Sequence, residues 1–326
     1  MKQDWNLESW KVFCAVAEAG SISGACGAVG MDASGVSRTI RALEASLGGI
    51  PLFDRSIRPL KLTGNGETAL VFARQMLASH AALVDGLDRD PLAMRGTISV
   101  GFPPLVLQKF LLPFLVAFHE EYPEVFLKVS EYTGSVPVVF DTPQGRLDVI
   151  CGYGADAAHP NIVQIQYGWG YQIPCASPLY IARKGRPERP EDLARHTGIV
   201  FRSPMRPEVQ FLQKGGETVP LRWESEMLFD SAASAMSAVL CGAGIHPGIP
   251  TLHCFRSLQK KELVPVLPGW SSPRTKLFIY ARTEAARLRR VQVFIERYRA
   301  FMDRLHDECE KTFEPLVGPL ELRYRA

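Results

Sequence analysis

The side chains best suited to chemistry in this 326-residue chain are hydroxyl and guanidinium groups near its beginning. Ser34, Ser37, Arg38 and Arg41 recur at helical intervals, so a helix would present them on one face. Such groups donate hydrogen bonds to phosphate oxygens and to base edges in the major groove of DNA. We therefore predict that this face binds DNA.

A second cationic group follows closely along the chain. Arg55, Arg58 and Lys61 lie in or beside a polar run between two apolar stretches, which predicts a two-stranded wing whose cations contact phosphates or a minor groove. Residues 33–61 hold five basic and two acidic side chains, so their excess of +3 equals the formal net charge of the whole chain. This local clustering, more than the total charge, indicates a nucleic-acid partner.

Three short helices are predicted to position the first cationic face. Apolar residues over 7–17 fit one side of a helix that ends at Gly20, since glycine is favoured just past a helix end. A second helix is predicted over 24–29, and Asp32 is the expected N-cap of a third over 33–47. The third helix would bury Val36, Ile40, Leu43 and Leu47. Two helices joined by a tight turn, with a cationic outer face, form a helix-turn-helix.

One long helical pattern follows, and its apolar residues predict a dimer interface. Between residues 65 and 87 they form one broad stripe that includes Met76 and Leu77. The stripe spans about three heptads, which is more than a small surface helix needs. A helix packed on its own domain is the alternative. His80 lies on this stripe and is interpreted as a packed residue.

From Gly96 onward, strand-like runs alternate with helical runs, which is typical of parallel βαβ units. The predicted strands cover residues 98–101, 125–129, 149–152, 179–182, 199–201 and 277–281. The predicted helices between them include 109–122 and 231–241. A sheet of this kind binds ligands outside the carboxyl ends of its strands.

These residues resemble the LysR family of transcriptional regulators, and the likeness extends over residues 5–305. The first part carries GSISGA at 20–25, VSRTIRALE at 36–44, LFDR at 52–55, RP at 58–59 and LT at 62–63. The second part carries GTISVG at 96–101, LLP at 111–113, YPEV at 122–125, GRLDV at 145–149, CASP at 175–178 and GAGI at 242–245. Many relatives have a glutamine where this chain has Ala33, which removes one reader of adenine.

The resemblance implies an α/β chain with three regions. A winged helix-turn-helix DNA-binding domain over 1–62 and a linker or dimerisation helix over 63–90 come first. An effector-binding domain over 91–305 follows, built from two α/β subdomains like a periplasmic binding protein. Apolar residues at helical spacing from Phe294 to Phe313 predict that the last helix continues beyond this likeness, so a helix extension with a tail covers 306–326. No function is assigned to that tail.

The likeness to a solute-binding protein also implies a small-molecule cleft between the two subdomains. The residues at the matching strand ends are Phe102, Pro103, Thr133, Phe201, Arg202, Ser231 and His246. Thr133 with the two residues after it could cap a helix and offer N–H groups to an anion. Arg202 could hold a carboxylate through two parallel N–H bonds, or form a structural ion pair with Asp230 or Glu208. Both interpretations of Arg202 fit the sequence.

Other classes of function find little support in the sequence. The GYG at 152–154 lacks a third glycine, and no GxSxG or HExxH motif occurs, so we predict neither an enzyme nor a cofactor. Seven scattered cysteines without a CxxC pair argue against a zinc site or a disulfide framework. A thiol-redox regulator is an alternative, although residues 202–210 contain no cysteine. A solute-binding or enzymatic α/β protein with an incidental helix-turn-helix is the other.

The expected partners follow from the main interpretation. They are double-stranded DNA, a small-molecule effector, a second copy of the chain in a homodimer or dimer of dimers, and RNA polymerase as a further candidate. No run of apolar residues is long enough to cross a membrane, and the first residues do not form a secretory signal. We therefore expect a bacterial protein that stays in the cytoplasm and has no membrane partner.

Overall fold

The computed structural model describes residues 6–56, 59–86, 91–134, 139–142, 145–154, 160–204, 206, 208–318 and 322. Its contacts divide the chain into two compact units. One unit comprises Met1–Arg89 with Asp141–Arg146, and the other comprises Asp90–Phe140 with Leu147–Ala326. The domain limits expected at residues 62, 90 and 305 remain predictions.

The first unit is a three-helix bundle followed by a small hairpin and a long helix. Its elements are α1 (Leu7–Ala19), α2 (Ile22–Val29), α3 (Ala33–Ser46), β1 (Phe53–Asp54), β2 (Lys61–Leu62) and α4 (Gly64–Gly86). Strand β1 pairs with β2 in antiparallel register, as the wing prediction requires. A second hairpin of this unit joins β5 (Asp141–Thr142) to β6 (Gly145–Arg146).

Local chemistry explains where the first helices begin and end. Gly20 follows α1 with a φ of 61°, a left-handed conformation that costs glycine nothing. Ser21 and Asp32 are the N-caps of α2 and α3, and their side chains accept from the backbone N–H groups of Gly24 and Gly35. The Asp32 cap and the predicted third helix are therefore confirmed.

The core of the first unit lies between these helices and the hairpin. Its fully buried apolar residues include Val12, Phe13, Val36 and Leu52. Phe13 lies 5.8 Å from Trp10 and 5.4 Å from Phe53 between ring centroids, which are normal distances for packed aromatic pairs. This core fixes α3 so that its opposite side faces solvent.

The second unit begins with an α/β half. Its first elements are β3 (Gly96–Phe102), α5 (Pro104–Val106), a π-helical turn over Leu107–Leu111, α6 (Leu112–Glu121), β4 (Val125–Glu131) and β7 (Val149–Gly154). The rest comprises β8 (Ile162–Ala176), α7 (Pro178–Lys184), β9 (Thr197–Phe201), β10 (Phe211–Lys214), β11 (Glu217–Pro220), β12 (Ser225–Phe229), α8 (Ala232–Leu240), β13 (His246–Pro250), α9 (Thr251–Gln259), β14 (Val264–Pro265), β15 (Ser272–Arg282), α10 (Thr283–Ala286) and α11 (Arg289–Val317).

A seven-stranded mixed sheet organises this unit. Six of its strands lie in the order β13-β8-β15-β7-β3-β4, and β14 pairs with β8 beside them. Strand β3 runs parallel to β4 and β7, whereas β15 is antiparallel to β7 and β8. A separate parallel pair joins β9 to β12. The expected α/β architecture is therefore present, with long antiparallel strands that the sequence did not indicate.

One local prediction in this unit was wrong, and one strand was not predicted. Residues 179–182 form part of α7 and not a strand, because Ser177 accepts from the N–H of Tyr180 as N-cap and Pro178 occupies the first turn, where proline is favoured. Residues 246–250 form the buried strand β13, which pairs with β8 and was absent from the predicted strands.

The end of the chain packs against the long strand β8. Helix α11 continues to Val317, as its apolar spacing predicts, and buries Cys309 and Phe313. Leu322 is also buried, and its carbonyl accepts from the N–H of Trp169 at 2.8 Å. Gly168 permits this approach, since a Cβ there would lie 2.6 Å from the Leu322 carbonyl oxygen.

Candidate nucleic-acid face and ligand cleft

Helix α3 presents its polar residues to solvent, as predicted, but three of them form hydrogen bonds within the helix or to its N-cap. Ser34 donates to the two carboxylate oxygens of Asp32 at 3.0 and 3.1 Å. These bonds and the Gly35 N–H lower the pKa of Asp32, so the cap stays ionised. Arg41 donates to the Ser37 hydroxyl at 2.9 Å. Ser34 therefore stabilises the helix start, and Ser37 orients Arg41.

Arg38 lies on the exposed side of the same helix. Its side chain has no ion pair or hydrogen bond with any residue that the structure describes. An exposed guanidinium that makes no ion pair or hydrogen bond can form the forked pair of bonds that recognises guanine. Arg38 is therefore the member of the predicted set best placed to contact a base.

The wing cations differ in how their charge is balanced. Arg55 donates through Nη2 to Glu44 Oε2 at 2.6 Å, while Glu44 Oε1 accepts from the N–H of Leu52 at 2.9 Å. This buried carboxylate joins α3 to the hairpin and neutralises Arg55. Lys61 is exposed and makes no side-chain bond to the described part of the chain. Arg58 lies outside the described residues.

The apolar residues of helix α4 lie in two environments, the core of the first unit and the solvent-exposed surface. Ala73 is buried in the core of the first unit, and Leu70 and Leu77 pack against that core. Phe72 and Leu83 instead leave 63% and 59% of their surface exposed. His80, expected to be packed, is exposed. The first unit therefore covers one side of α4, as the alternative interpretation predicted. Another side of the helix is apolar and exposed.

Several of the predicted effector residues have structural roles in the second unit. Phe102 is fully buried, and its ring centroid lies 5.8 Å from that of Tyr298. Pro103 borders an interior cavity of about 20 Å³, which has room for little more than one water molecule. Ser231 is the N-cap of α8, and Thr133 is exposed. Ser135, the last member of the predicted anion cap, lies outside the described residues.

Arg202 forms the structural ion pair that was one of its two interpretations. It donates to Glu208 Oε2 through Nη2 at 2.5 Å and through Nε at 3.2 Å. The Arg202 side chain is 61% exposed, so the pair contributes about 0–1 kcal/mol to stability. Glu208 therefore neutralises the charge of Arg202 without a ligand.

A second arginine, Arg206, lies in the same cleft as Arg202 and Glu208. It was not among the residues predicted from the sequence. It is 6% exposed, and it donates through Nη2 to Gln172 Oε1 and to the carbonyl oxygen of Gly248. Its guanidinium carbon lies 5.5 Å from the centre of the Phe201 ring. Within the described chain no carboxylate comes within ion-pair distance of it. Burial lowers the pKa of Arg206 to about 10, so it is a cation at neutral pH.

The titratable groups around Arg206 are neutral. His246 and His253 are buried, and burial followed by the Arg206 charge lowers the pKa of each imidazole to about 3. His246 Nδ1 accepts from the N–H of Gly248 at 3.0 Å. Burial raises the pKa of Tyr153 to about 12, and its hydroxyl lies 3.4 Å from His253 Nε2. The buried positive charge is therefore uncompensated by its neighbours.

An open cleft of about 520 Å³ reaches this cation. It is lined by Gln172, Arg202, Arg206, Glu208, Val209, Gln210, Phe211, Ser272, Pro273 and Thr275. The hydroxyl oxygens of Ser272 and Thr275 are buried there without a hydrogen-bond partner. Unsatisfied hydroxyls beside a cation are costly in the absence of a ligand. Arg206 lies between two prolines, and this irregular segment offers no periodic signal by which the sequence could reveal it.

The thiols and acids form no metal centre in the part of the chain that the structure covers, and five of the seven thiols are buried, whereas Cys241 is exposed. No group of three potential metal ligands occurs there. Cys175 and Cys254 are neighbours, but both are buried, and burial raises the pKa of the Cys254 thiol. A buried thiol held in its protonated form is a poor nucleophile. Among the described helices, none has the length and apolar character needed to cross a membrane.

Comparisons with known proteins agree with both units. Residues 7–67 match the family model of the bacterial regulatory helix-turn-helix protein, lysR family, and residues 93–303 match that of the LysR substrate binding domain. The chain is 28% identical over 302 residues to the uncharacterized HTH-type transcriptional regulator YhjC of Escherichia coli, covering 89% of this chain and 95% of that one. It is 29% identical over 309 residues to the HTH-type transcriptional regulator PtxR of Pseudomonas aeruginosa, covering 92% and 94%.

Solved structures show the same fold. The full-length Vibrio cholerae virulence activator AphB, a member of the LTTR protein family, matches with a TM-score of 0.56 and 23% identity, covering 90% of this chain and 98% of that one. CrgA, a LysR-type transcriptional regulator from Neisseria meningitidis, matches with a TM-score of 0.54 and 23% identity, covering 92% and 99%.

Proposed function

The chain belongs to the LysR family of bacterial transcriptional regulators, and from this premise we propose which of its residues read DNA and which respond to the effector. The family pairs a DNA-binding helix-turn-helix with an effector-binding domain, and both are present here. Helix α3 is proposed to enter the major groove with Arg38 at the base edges and Ser34, Ser37 and Arg41 beside it. Lys61, with Arg55 and Arg58, is proposed to lie along phosphates.

The effector is proposed to bind in the cleft that reaches Arg206. The observation that carries this proposal is a buried cation without a counter-ion beside unsatisfied hydroxyls. Phe201, Arg202 and His246 of the predicted set adjoin that cation or line its cleft. The effector would act by binding one arrangement of the protein better than another and so shifting the population between them.

A second copy of the chain is proposed to cover the open apolar side of α4. Oligomers are typical of this family, and the exposed Phe72 and Leu83 offer a surface that a partner helix can bury. Replacing both with glutamate should leave the first unit folded, since neither belongs to its core, and should convert the protein to monomers in sedimentation. A double variant that stays a dimer would remove α4 as the interface.

The remaining assignments follow from regulation of transcription. A regulator of bacterial genes works in the cytoplasm, where the DNA is, and RNA polymerase is its candidate protein partner. The solute-binding and enzymatic alternatives account for the second unit alone, because neither explains a helix-turn-helix with an exposed cationic face. The buried thiols give the redox alternative no support.

Sequence-specific binding is the property that separates a regulator from these alternatives. We expect the full chain to retard DNA from upstream of its own gene in a gel shift, and to resist competition by a shuffled fragment of equal length. Specific complexes are typically bound about 10³-fold or more tighter than non-specific ones. Equal competition by the shuffled fragment would contradict the proposal.

A further inference from the structure

The chemical class of the effector can be inferred from the groups that line its cleft, an inference that rests on the proposed function of the second unit. We infer that the effector is a small monocarboxylate whose carboxylate binds Arg206 together with the hydroxyls of Ser272 and Thr275. The charge balance, the available donors and the walls of the cleft support this class of effector.

The charge balance requires an anion. Arg206 is 6% exposed, and the described residues provide no carboxylate partner for it. A buried charge without a partner is strongly unfavourable. The facing groups are His246, His253 and Tyr153, which are neutral, and Lys109, which adds a second positive charge beyond His253. Glu208 is an acid of the same cleft, but Arg202 already neutralises it.

The donors of Arg206 that remain available suit a carboxylate. Both of its side-chain bonds to the described residues come from Nη2, so Nε and Nη1 can still donate. Nε–H and Nη1–H point to different sides of the guanidinium, so each can donate one charge-assisted hydrogen bond to an anion in the cleft.

Two hydroxyl donors complete the site. The Ser272 side chain is 2% exposed, and its oxygen has no hydrogen-bond partner. Built on Gly248, a Cβ would lie 3.0 Å from Ser272 Oγ and 3.1 Å from Gln172 Oε1, so this hydroxyl lies beside the two groups that hold the Arg206 guanidinium. Thr275 lines the same cleft, and its Oγ1 is also buried without a hydrogen-bond partner. Each hydroxyl gains a partner when an oxyanion binds.

The walls of the cleft indicate the rest of the molecule. Val209, Phe211 and Pro273 line it beside the polar groups, and they would contact a compact apolar body. A single unmatched cation balances a single negative charge, which favours a monocarboxylate over a dicarboxylate or a phosphate. An inorganic oxyanion such as nitrate satisfies the same donors without using these walls.

Binding of simple probes to the full-length protein tests this inference. Benzoate, butyrate, acetate and nitrate would be titrated as sodium salts at constant ionic strength, with benzamide as the neutral counterpart of benzoate. Calorimetry gives the affinity, and the melting temperature gives an independent reading. We expect benzoate or butyrate to bind and to raise the melting temperature, acetate and nitrate to bind more weakly, and benzamide not to bind.

Variants assign the site to named residues. Arg206→Gln should weaken carboxylate binding about tenfold or more, because it removes the positive charge and a charge-assisted hydrogen bond. Arg206→Lys should recover only part of the loss, and Ser272→Ala should weaken binding about threefold to tenfold. Arg222→Gln, which removes an exposed arginine of the same unit, should bind the probe like the parent.

Several outcomes would overturn the inference. They are equal binding of benzamide and benzoate, binding of nitrate alone, no binding of any carboxylate, and loss of binding in Arg202→Gln but not in Arg206→Gln. If Arg206→Gln does not fold, Arg206→Lys and Ser272→Ala decide the matter in its place. Specific operator binding, measured in parallel without probe, keeps the two proposals apart. A protein that binds its operator but no carboxylate refutes this inference and leaves the proposed function intact.

Discussion

The two units of the chain keep their cations in opposite surroundings. In the first unit Arg38 and Lys61 stand in solvent without protein partners, whereas in the second unit Arg206 is buried without a counter-ion. An exposed cation is stabilised by water and can exchange that water for phosphates or bases along DNA. A buried cation has no such water, so a small anion that fits its cleft binds in place of the missing partner.

The difference predicts how each unit tolerates the loss of a buried side chain. Phe13→Ala should destabilise the first unit by about 3–5 kcal/mol, since it leaves a cavity in a small core. Arg206→Met should leave the second unit as stable as before or more stable, because an apolar group replaces an unpaired buried charge. Urea unfolding followed by circular dichroism measures both. Phe72→Ala, at an exposed position, is the control for Phe13→Ala.

A loss of several kcal/mol in Arg206→Met would contradict this contrast. It would mean that the bonds of Arg206 to Gln172 and Gly248 stabilise the unit more than the buried charge destabilises it.

Acidification from pH 7.5 to pH 5.5 should destabilise the second unit more than the first. In the folded protein the pKa of His246 and His253 is about 3, whereas in the unfolded chain an imidazole titrates near pH 6.5. The unfolded chain therefore binds more protons between those values. Stability is fully present above pH 6.5 and falls as the pH falls through this window, by about 1.4 kcal/mol per pH unit for each histidine.

The pH effect is measured from urea midpoints at pH 7.5 and pH 5.5. In His253→Gln the stability should fall less steeply with falling pH, because the contribution of His253 is gone. An unchanged pH dependence of stability in that variant would show that carboxylates cause the effect. The first unit serves as the internal comparison, because His80 is the one histidine of residues 1–89 and is exposed.

The sequence predicted the exposed site of the first unit better than the buried site of the second. Val36, Ile40 and Leu43 bury one side of α3, so their helical spacing also placed Arg38 on the opposite side. Arg206 is positioned by β8, through Gln172, and by β13, through Gly248. Contacts between segments so distant in the sequence leave no periodic pattern. The proline-rich segment that forms β13 was itself absent from the predicted strands.

Several residues predicted as ligand positions from their place at strand ends also have structural roles. Phe102 ends β3 but packs on Tyr298, and Ser231 follows β12 but caps α8. The position of a residue at a strand end does not reveal whether a later helix covers it. In this chain α11, which supplies Tyr298, covers Phe102.

Arg38→Ala should weaken operator binding by about 1–3 kcal/mol and relax specificity at one position in each half-site. Arg38→Lys keeps the charge and loses the forked geometry, so it should retain non-specific affinity while losing the discrimination. Fluorescence anisotropy with operator variants measures both quantities. Unchanged affinity and specificity in Arg38→Ala would mean that α3 does not read bases.

The smallest expected effect concerns the wing. Lys61→Ala should reduce the slope of log affinity against log salt by about one unit on any DNA, because one phosphate contact is lost. Arg55→Ala should change that slope less, since Glu44 already neutralises Arg55. Equal slope changes in the two variants would show that the Glu44 pair opens on DNA.

Mapping of bound DNA across the source genome tests the central claim most directly. The claim is that the exposed cations of the first unit select DNA and that the buried cation of the second unit responds to the effector. We expect the parent protein to occupy a limited set of promoters, Arg38→Ala to lose those sites, and Arg206→Gln to keep them without the response to effector. Occupancy by the parent that is uniform along the genome, or identical to that of Arg38→Ala, would contradict the account.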